Sequence, residues 1–386
     1  MPMPTPHLTG PLVIAGSSLA GVRAVEGART HGWEGEIIMV GAERHPPYDR
    51  PPLSKAVLGV GDEPTVPLLR QADTWEALDV ELLSGTTAVG VDVRRRRLMT
   101  SAGEIAYGAL VIATGAVART AFGLNDFDNV QALRTFDDAL RVRATLDAAR
   151  RIVVLGGGFI GSEIASAAVA RGIDVTIVNE SATPLRRAVG PVASRVLADL
   201  HRRSGVRVLA GTRVVDVHVH DNNIRSVTTE AGDVLDTDAV FVGIGSAPAT
   251  DWLPADGIDM DPTTRAVVCD STMATSAPAI WAAGDVAAVR GRAGGHWTSA
   301  ADQGFVAGAN AVGAQRVHAG IPFAWSTWYG HRIQILGETA GSVTESVDGD
   351  LILSHRDGRV VGAVGIDAPG RIARLRRELA GSAVAV

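Results

Sequence analysis

The chain has 386 residues, 46% of them hydrophobic, enough for more than one buried core and for two or three domains. A net charge of −6 gives no reason to expect a nucleic-acid partner, and no apolar run approaches the roughly 18 residues of a membrane-spanning helix. A single cysteine, Cys269, excludes an internal disulfide framework and a cysteine-rich metal site. Residues 1–10 carry no export signal, so a soluble cytoplasmic monomer or homodimer is expected.

In chain order, residues 11–15 read as a short apolar strand, 16–21 as a small-residue turn, 22–30 as a helix and 37–40 as a second strand. The turn is Gly16-Ser17-Ser18-Leu19-Ala20-Gly21, with Ser18 where a dinucleotide fingerprint has its second glycine. A hydroxymethyl is small enough to leave the backbone near a diphosphate. The rival reading makes Ser18 a hydrolase nucleophile on a strand–turn–helix elbow, but no acid and histidine pair follows at later strand ends. Glu43, just past the second strand, suits a ribose hydroxyl and favours the dinucleotide reading. Residues 86–98 alternate apolar and polar, as in an antiparallel hairpin or meander, with the Arg94–Arg97 run as a solvated strand end. Leu110-Val111-Ile112-Ala113-Thr114-Gly115 is a buried strand closing on Ala-Thr-Gly.

The opening layout then returns: strand 152–155, glycine turn 156–161, helix 162–170, strand 175–178. Parallel strands need such crossovers, so two copies suggest two dinucleotide-binding domains. Gly156-Gly157-Gly158-Phe159-Ile160-Gly161 is the stronger signal. Gly156 makes the turn, Gly158 lets the backbone approach a pyrophosphate, and Gly161 packs helix against strand, while the helix start supplies N–H groups and a positive dipole end. Asn179 and Glu180 end the second strand, and a carboxylate there favours NADH over NADPH. Asn179 stands nearest the usual acidic position, however, and Arg186 and Arg187 follow shortly, where an arginine favours a 2′-phosphate. NADH is the expected coenzyme.

His218 and His220 share one strand face but have no third metal ligand nearby, so a metal is not expected. Val240-Phe241-Val242-Gly243-Ile244-Gly245, followed by Pro248, and Ile280-Trp281-Ala282-Ala283-Gly284-Asp285-Val286 are two more strands that end in glycine turns. Cys269, in an apolar run, reads as a small buried hydrophobe. Beyond residue 320 come Trp325, Trp328 and Tyr329, short strands at 333–336, 351–353 and 360–366, and an arginine-rich amphipathic helix at 371–379. The expected fold is α/β: two Rossmann-like, three-layer dinucleotide-binding domains plus a C-terminal α+β domain.

The order of these pieces resembles the flavoproteins with two dinucleotide-binding domains, the pyridine nucleotide–disulfide oxidoreductase class. Within it, Pro47-Tyr48-Asp49-Arg50-Pro51-Pro52-Leu53-Ser54-Lys55, His296-Trp297-Thr298, Trp325-Ser326 and Gly362-Ala363-Val364-Gly365 resemble the ferredoxin reductases that serve oxygenases and cytochromes P450. The resemblance runs from about residue 11 to 380. It implies a split FAD-binding domain at 1–117 and 239–319, an NAD-binding domain at 118–238 and an interface domain at 320–386.

It also implies the site. FAD falls to Gly16, Ser18, Ala20, Gly21, Glu43, Arg50, Lys55, Ala88, Thr114, Gly115, Arg134, Gly284, Asp285, Trp297 and Trp325. The nicotinamide dinucleotide falls to Gly156, Gly158, Phe159, Ile160, Gly161, Glu163, Asn179, Glu180 and Gly245. Lys55 and its expected partner Glu163, with Trp297 at the flavin's pyrimidine edge, form the catalytic group. A buried lysine needs a paired charge, and a helix N-terminus near Thr298 stabilises negative charge on a reduced ring.

The implied route runs from NADH to the flavin and then, by single electrons, to an iron–sulfur ferredoxin. Neither Ala56 nor Leu58 beside Lys55 is a cysteine, so no disulfide relay stands in the way. The run Trp325-Ser326-Thr327-Trp328-Tyr329 departs from the subgroup's Trp-Ser-Asp-Gln-Tyr, which is expected to alter the flavin-side wall and the docking of the acceptor. Arg371, Arg374, Arg376 and Arg377, or Arg290 and Arg292, are candidate rims for an acidic ferredoxin, against the plainer reading of a solvated helix face. Two other outcomes remain: direct reduction of a small quinone, radical or oxygen, or an NADH-sensing flavoprotein like the apoptosis-inducing-factor branch.

Overall fold

Four-residue apolar runs such as Leu12–Ala15 and Ala109–Ile112 have no polar face, so they must be covered on both sides, the condition met by parallel sheets flanked by helices. A computed structural model describes residues 9–383 except 122, 125, 294, 295 and 342. The start of the chain, where no export signal is read, lies largely outside the described residues. Contacts divide the chain into two units, one of Met1–Asp49, Val66–Val117 and Ala247–Gly320, the other of Arg50–Thr65, Ala118–Ser246 and Ile321–Val386.

The first unit holds a five-stranded parallel sheet in the order Ile280–Ala282, Ala109–Ile112, Leu12–Ala15, Ile37–Gly41, Val80–Ser84. The strand Leu12–Ala15 is wholly buried, and the helix Leu19–Thr30 follows it directly. That helix lies in backbone contact with the helix Trp297–Ala311. A Cβ on Gly304 would stand 2.2 Å from the Ala20 carbonyl oxygen, and one on Gly308 1.9 Å from that of Ala24. Glycine is what permits the approach. The segment expected at 86–98 as a hairpin or meander belongs to three antiparallel strands that extend beyond it, Ala88–Asp92, Arg97–Thr100 and Gly103–Ala106.

The second unit repeats the plan: Arg207–Ala210, Asp174–Asn179, Arg151–Leu155, Ala239–Val242, Val130–Ala132, all parallel. In each sheet the first strand of the repeat lies between the second strand and a later one, so the order reverses beside its C-terminal end, where open α/β sheets bind ligands. Residues 321–383 add a five-stranded antiparallel sheet ordered Phe323–Trp328, His331–Gly337, Arg359–Ile366, Leu351–Arg356, Thr344–Asp348. One face packs Ala324, Trp328, Ile333 and Ile335 against Val189, Ala193 and Leu197 of the helix Arg186–Arg203. The helix Pro369–Ala383 covers another part, with Ile372 and Leu375 on Leu336 and Ala363. Among the described residues no helix is long and apolar enough to cross a membrane, and no cluster of metal-ligating side chains occurs, His218 and His220 included.

Candidate functional site

In the first unit, the chain leaves Ala15 through Gly16 at φ 121°, where a Cβ would lie 2.1 Å from the Ala113 carbonyl oxygen. Gly21 is equally confined, its missing Cβ 2.0 Å from the Gly16 oxygen. The turn therefore presses against the Ala-Thr-Gly segment, and the helix beginning at Leu19 has no acidic residue in its first turn to compete for an anion. Ser18 has φ −104° and ψ −167°, ordinary extended backbone, without the strained turn a nucleophile elbow requires. Past the second strand, the half-buried Glu43 accepts a 2.5 Å hydrogen bond from the Tyr48 hydroxyl, which orients its carboxylate. Ala88 stands half-buried at its strand's start.

Two further turns complete this end of the sheet. Thr114 donates through Oγ1 to the Ala249 carbonyl at 2.9 Å, and Gly115 follows at φ 71°. The Gly284–Val286 turn carries the half-buried Asp285, and the Gly284 N–H donates to Gln303 Oε1 at 2.9 Å, tying the turn to the helix Trp297–Ala311. Trp297 is that helix's first residue, 37% exposed, with its indole N–H on Asp49 Oδ1 at 2.6 Å. It is a presented side chain, not a core one. This helix too lacks an acidic residue in its first turn. The glycine cradle, two helix starts open to negative charge and an oriented carboxylate past the second strand fit an FAD dinucleotide.

The second unit reproduces the turn. Gly156 has φ 95° and its missing Cβ would stand 2.6 Å from the Gly243 oxygen; that of Gly161 would stand 2.1 Å from the Gly156 oxygen. Gly158 precedes the helix Phe159–Val169, whose first turn, including Ile160, has no acidic residue. Gly245, at φ 103°, accepts through its carbonyl from the Arg119 N–H at 2.9 Å. Asn179 is buried and turned inward, its Oδ1 accepting from the Gly157 N–H at 3.0 Å and its Nδ2 donating to the Ser181 carbonyl at 2.6 Å. The amide thus serves the loop, while Glu180 stands exposed.

One turn further along the same helix, Glu163 is buried and surrounded by three donors. Lys55 Nζ lies 2.7 Å from Oε1, Ser54 Oγ donates to Oε2, and Ser326 Oγ donates to Oε1. The short 3-10 helix Pro51–Ser54 aims Ser54 and Lys55, proline fixing its start. Arg50 Nη1 donates to the Arg134 carbonyl at 2.6 Å, so these two expected flavin contacts meet. Ser54 and Ser326 carried no signal in the sequence for this role: they lie 109 and 163 positions from Glu163.

Beside this group, His201 is fully buried between Ser162 Oγ, 3.2 Å from Nε2, and the Tyr329 hydroxyl, 2.7 Å from Nδ1. Burial pushes its pKa down to about 4, so it stays neutral. Trp328 stacks on it at 5.0 Å and is itself fully buried. The strand alternation turns it to the same face as Ser326, into the core of its own unit. Trp325 faces the other way and stacks on Phe323 at 5.9 Å.

The arginine-rich helix is less available than its composition suggests. Arg371 is bound to Asp348 and Asp350, Arg374 lies 3.6 Å from Glu378, and Arg376 sits over the Phe323 ring. Cys269 is buried, and burial raises its pKa to about 12, as suits an unreactive small hydrophobe.

Two glycine turns of one design on two parallel sheets, with a buried glutamate paired to a half-buried lysine beside the second, define a flavin- and nicotinamide-binding reductase. The model of the family described as pyridine nucleotide-disulphide oxidoreductase matches residues 10–304, and the chain belongs to that family. It is an FAD-dependent oxidoreductase that uses a nicotinamide dinucleotide. Over 389 residues it is 35% identical to the ferredoxin–NAD(+) reductase component of an anthranilate 1,2-dioxygenase system from Burkholderia cepacia, covering 97% of this chain and 95% of the relative. Rhodocoxin reductase from Rhodococcus erythropolis is also 35% identical, over 88% of this chain and 81% of its own. Among solved structures, the covalent putidaredoxin reductase–putidaredoxin complex matches with a TM-score of 0.89 and 29% identity, covering 96% of this chain and 93% of that one.

Proposed function

We propose that this protein is a cytoplasmic NADH-dependent reductase that passes electrons through FAD to an iron–sulfur ferredoxin serving an oxygenase or a cytochrome P450. The observation that carries the reading is the Lys55–Glu163 pair held by two serine hydroxyls, in a chain whose one thiol is buried. Electrons therefore leave without a sulfur relay. The relatives support the acceptor: one is named as the ferredoxin–NAD(+) reductase component of a dioxygenase system, and one solved neighbour is joined to putidaredoxin.

In this reading Gly16, Ser18, Ala20, Gly21, Glu43, Ala88, Thr114, Gly115, Gly284, Asp285 and Trp297 hold FAD, with Arg50, Lys55, Arg134 and Trp325 assigned to the same group. Gly156, Gly158, Phe159, Ile160, Gly161, Asn179, Glu180 and Gly245 hold NADH. When bound, FAD supplies a ring that accepts a hydride and gives up electrons singly. The chain's own part is positional and electrostatic. Glu163 fixes the Lys55 ammonium and keeps its charge paired, Ser54 and Ser326 fix Glu163, and the start of the helix at Trp297 would present its positive end to negative charge on bound FAD.

The test is cytochrome c reduction by the holoprotein with NADH, with and without added [2Fe–2S] ferredoxins. A ferredoxin-dependent rate is expected. Turnover of quinones with every ferredoxin inert overturns the assignment.

A further inference from the structure

Glu163 is met from two sides, by Ser54 and Lys55 beside the short helix Pro51–Ser54 and by Ser326 from the strand Phe323–Trp328. A serine side chain is short, so the seating of that strand on the helix Phe159–Val169 decides whether Ser326 reaches the carboxylate. The hairpin turn that ends the strand fixes this seating. Trp328 pairs with His331, which leaves Tyr329 and Gly330 as a two-residue turn with φ of 52° and 83°. Positive φ at both places is the I′ form, whose first place suits asparagine or glycine. An aromatic side chain there is an outlier, and such outliers persist only where the surroundings over-determine them.

Here both ends of the tyrosine are fastened. Its N–H donates to Ser166 Oγ at 2.7 Å, and its hydroxyl stands 2.7 Å from His201 Nδ1. The other ring nitrogen of His201 lies 3.2 Å from Ser162 Oγ, while the ring stacks on Trp328. A neutral imidazole has one donor and one acceptor nitrogen, so it bridges two hydroxyls with both ends satisfied. Ser162 and Ser166 lie one helical turn apart on a shared face, with Glu163 between them in sequence. The strand end is thus tied to the helix at Ser162 through His201, at Ser166 directly, and at Glu163 through Ser326.

We infer that Tyr329 and His201 are positioning residues for hydride transfer, clamping the strand so that Ser326 holds Glu163 and, through it, Lys55. The inference rests on the reading that Lys55 and Glu163 serve that step. It goes beyond the reading in giving a part to two side chains whose own hydrogen bonds go to neither.

The test is anaerobic stopped-flow reduction of the FAD holoprotein, with NADH varied to separate the limiting rate from the coenzyme Kd. It is run as a double-mutant cycle of Tyr329→Phe with Ser326→Ala. Tyr329→Phe should lower the limiting rate about 5-fold, the size of one buried hydrogen bond, with the Kd for NADH changed less than about 2-fold. In the Ser326→Ala background the same substitution should slow reduction less than about 2-fold, because its effect runs through Ser326. His201→Phe, which keeps a ring beside Trp328 but bridges no hydroxyls, should show the same dependence on background. So should Ser166→Ala, which leaves tyrosine and imidazole whole and serves if the ring variants fold poorly. Equal losses in both backgrounds, or a lower urea midpoint with an unchanged limiting rate, overturn the inference, because the clamp would then be structural only. Glu163→Gln separates the two failures. If it slows reduction while Tyr329→Phe does not, the inference alone falls; if it leaves the limiting rate unchanged, the reading falls and the inference with it.

Discussion

The two glycine turns share a backbone and differ in what their helices carry. In the first, Gly16 and Gly21 close on Ala113 and on each other, and the buried residues of the following helix are all apolar or glycine: Leu19, Ala20, Gly21, Val22, Ala24, Val25, Gly27 and Ala28. That helix packs backbone to backbone on Trp297–Ala311. In the second, Gly156 and Gly161 repeat the closure, but the helix buries Ser162 and Glu163 and uses Ser166 to bind the Tyr329 N–H at 2.7 Å. One turn thus opens a close-packed frame and the other opens a polar network. The frame suits a resident cofactor. The network suits a group that must be charged, oriented and released.

The sharpest way to break this contrast is to add one methyl to each turn. Gly16→Ala places a Cβ against the Ala113 carbonyl in a left-handed backbone, so the purified protein should be nearly colourless, with bound flavin below about one tenth. Gly156→Ala should stay yellow and raise the KM for NADH about 100-fold, a loss of a few kcal/mol. Flavin absorbance and NADH titration read both, and the opposite pattern would reverse the assignment of the two sites.

A smaller effect is expected at the polar network. Lys55→Met leaves a buried carboxylate with hydroxyl partners only, and should cost roughly 2–3 kcal/mol of stability, less than a fully buried pair because Lys55 is partly exposed. It should also slow anaerobic flavin reduction about 100-fold in stopped flow. Ser326→Ala, which leaves Glu163 two of its three donors, should cost only about 1 kcal/mol.

His201 gives the second unit a pH signature. Its folded pKa, about 4, lies below the unfolded value of 6.5, so the unfolded chain binds the proton first as pH falls. Stability should be full above pH 6.5 and fall by roughly 3 kcal/mol as the pH drops to about 4. His201→Gln should remove that step from a urea-melt series, and a step unchanged in the variant refutes the assignment. Smallest of all, Cys269→Ala should cost about 1 kcal/mol or less and leave turnover unchanged, because neither unit uses a thiol. Loss of activity would reveal a role for sulfur.

Much of the frame was legible because its signals are local. A strand, a glycine turn and a helix within twenty residues identify each nucleotide fold, and alternation over 86–98 marked an antiparallel hairpin or meander without reaching its third strand, Gly103–Ala106. Helix starts were read a few residues late, at 22 and 162 against Leu19 and Phe159, because the turn's last residues already have helical geometry. The network was far less legible. Lys55 and Glu163 were matched only through resemblance, and the serines that hold Glu163 are brought there by packing that no local pattern encodes. Trp328 was visible by type, but which sheet face it occupies depends on register with His331. Asn179 was read only as the residue nearest the ribose position, and its bracing of the glycine turn carried no local signal.

The first unit's sheet takes its edge strand from Ile280–Ala282, and its helix Leu19–Thr30 is covered by Trp297–Ala311. The ribosome therefore makes the first strands long before their covering arrives. Residues 130–242, which supply every strand of the other parallel sheet, are complete earlier. Vectorial synthesis thus favours the later-numbered nucleotide fold maturing first, while the N-terminal segments wait with apolar faces open. A nascent chain arrested before residue 280 would expose its oldest strands to aggregation or to a chaperone.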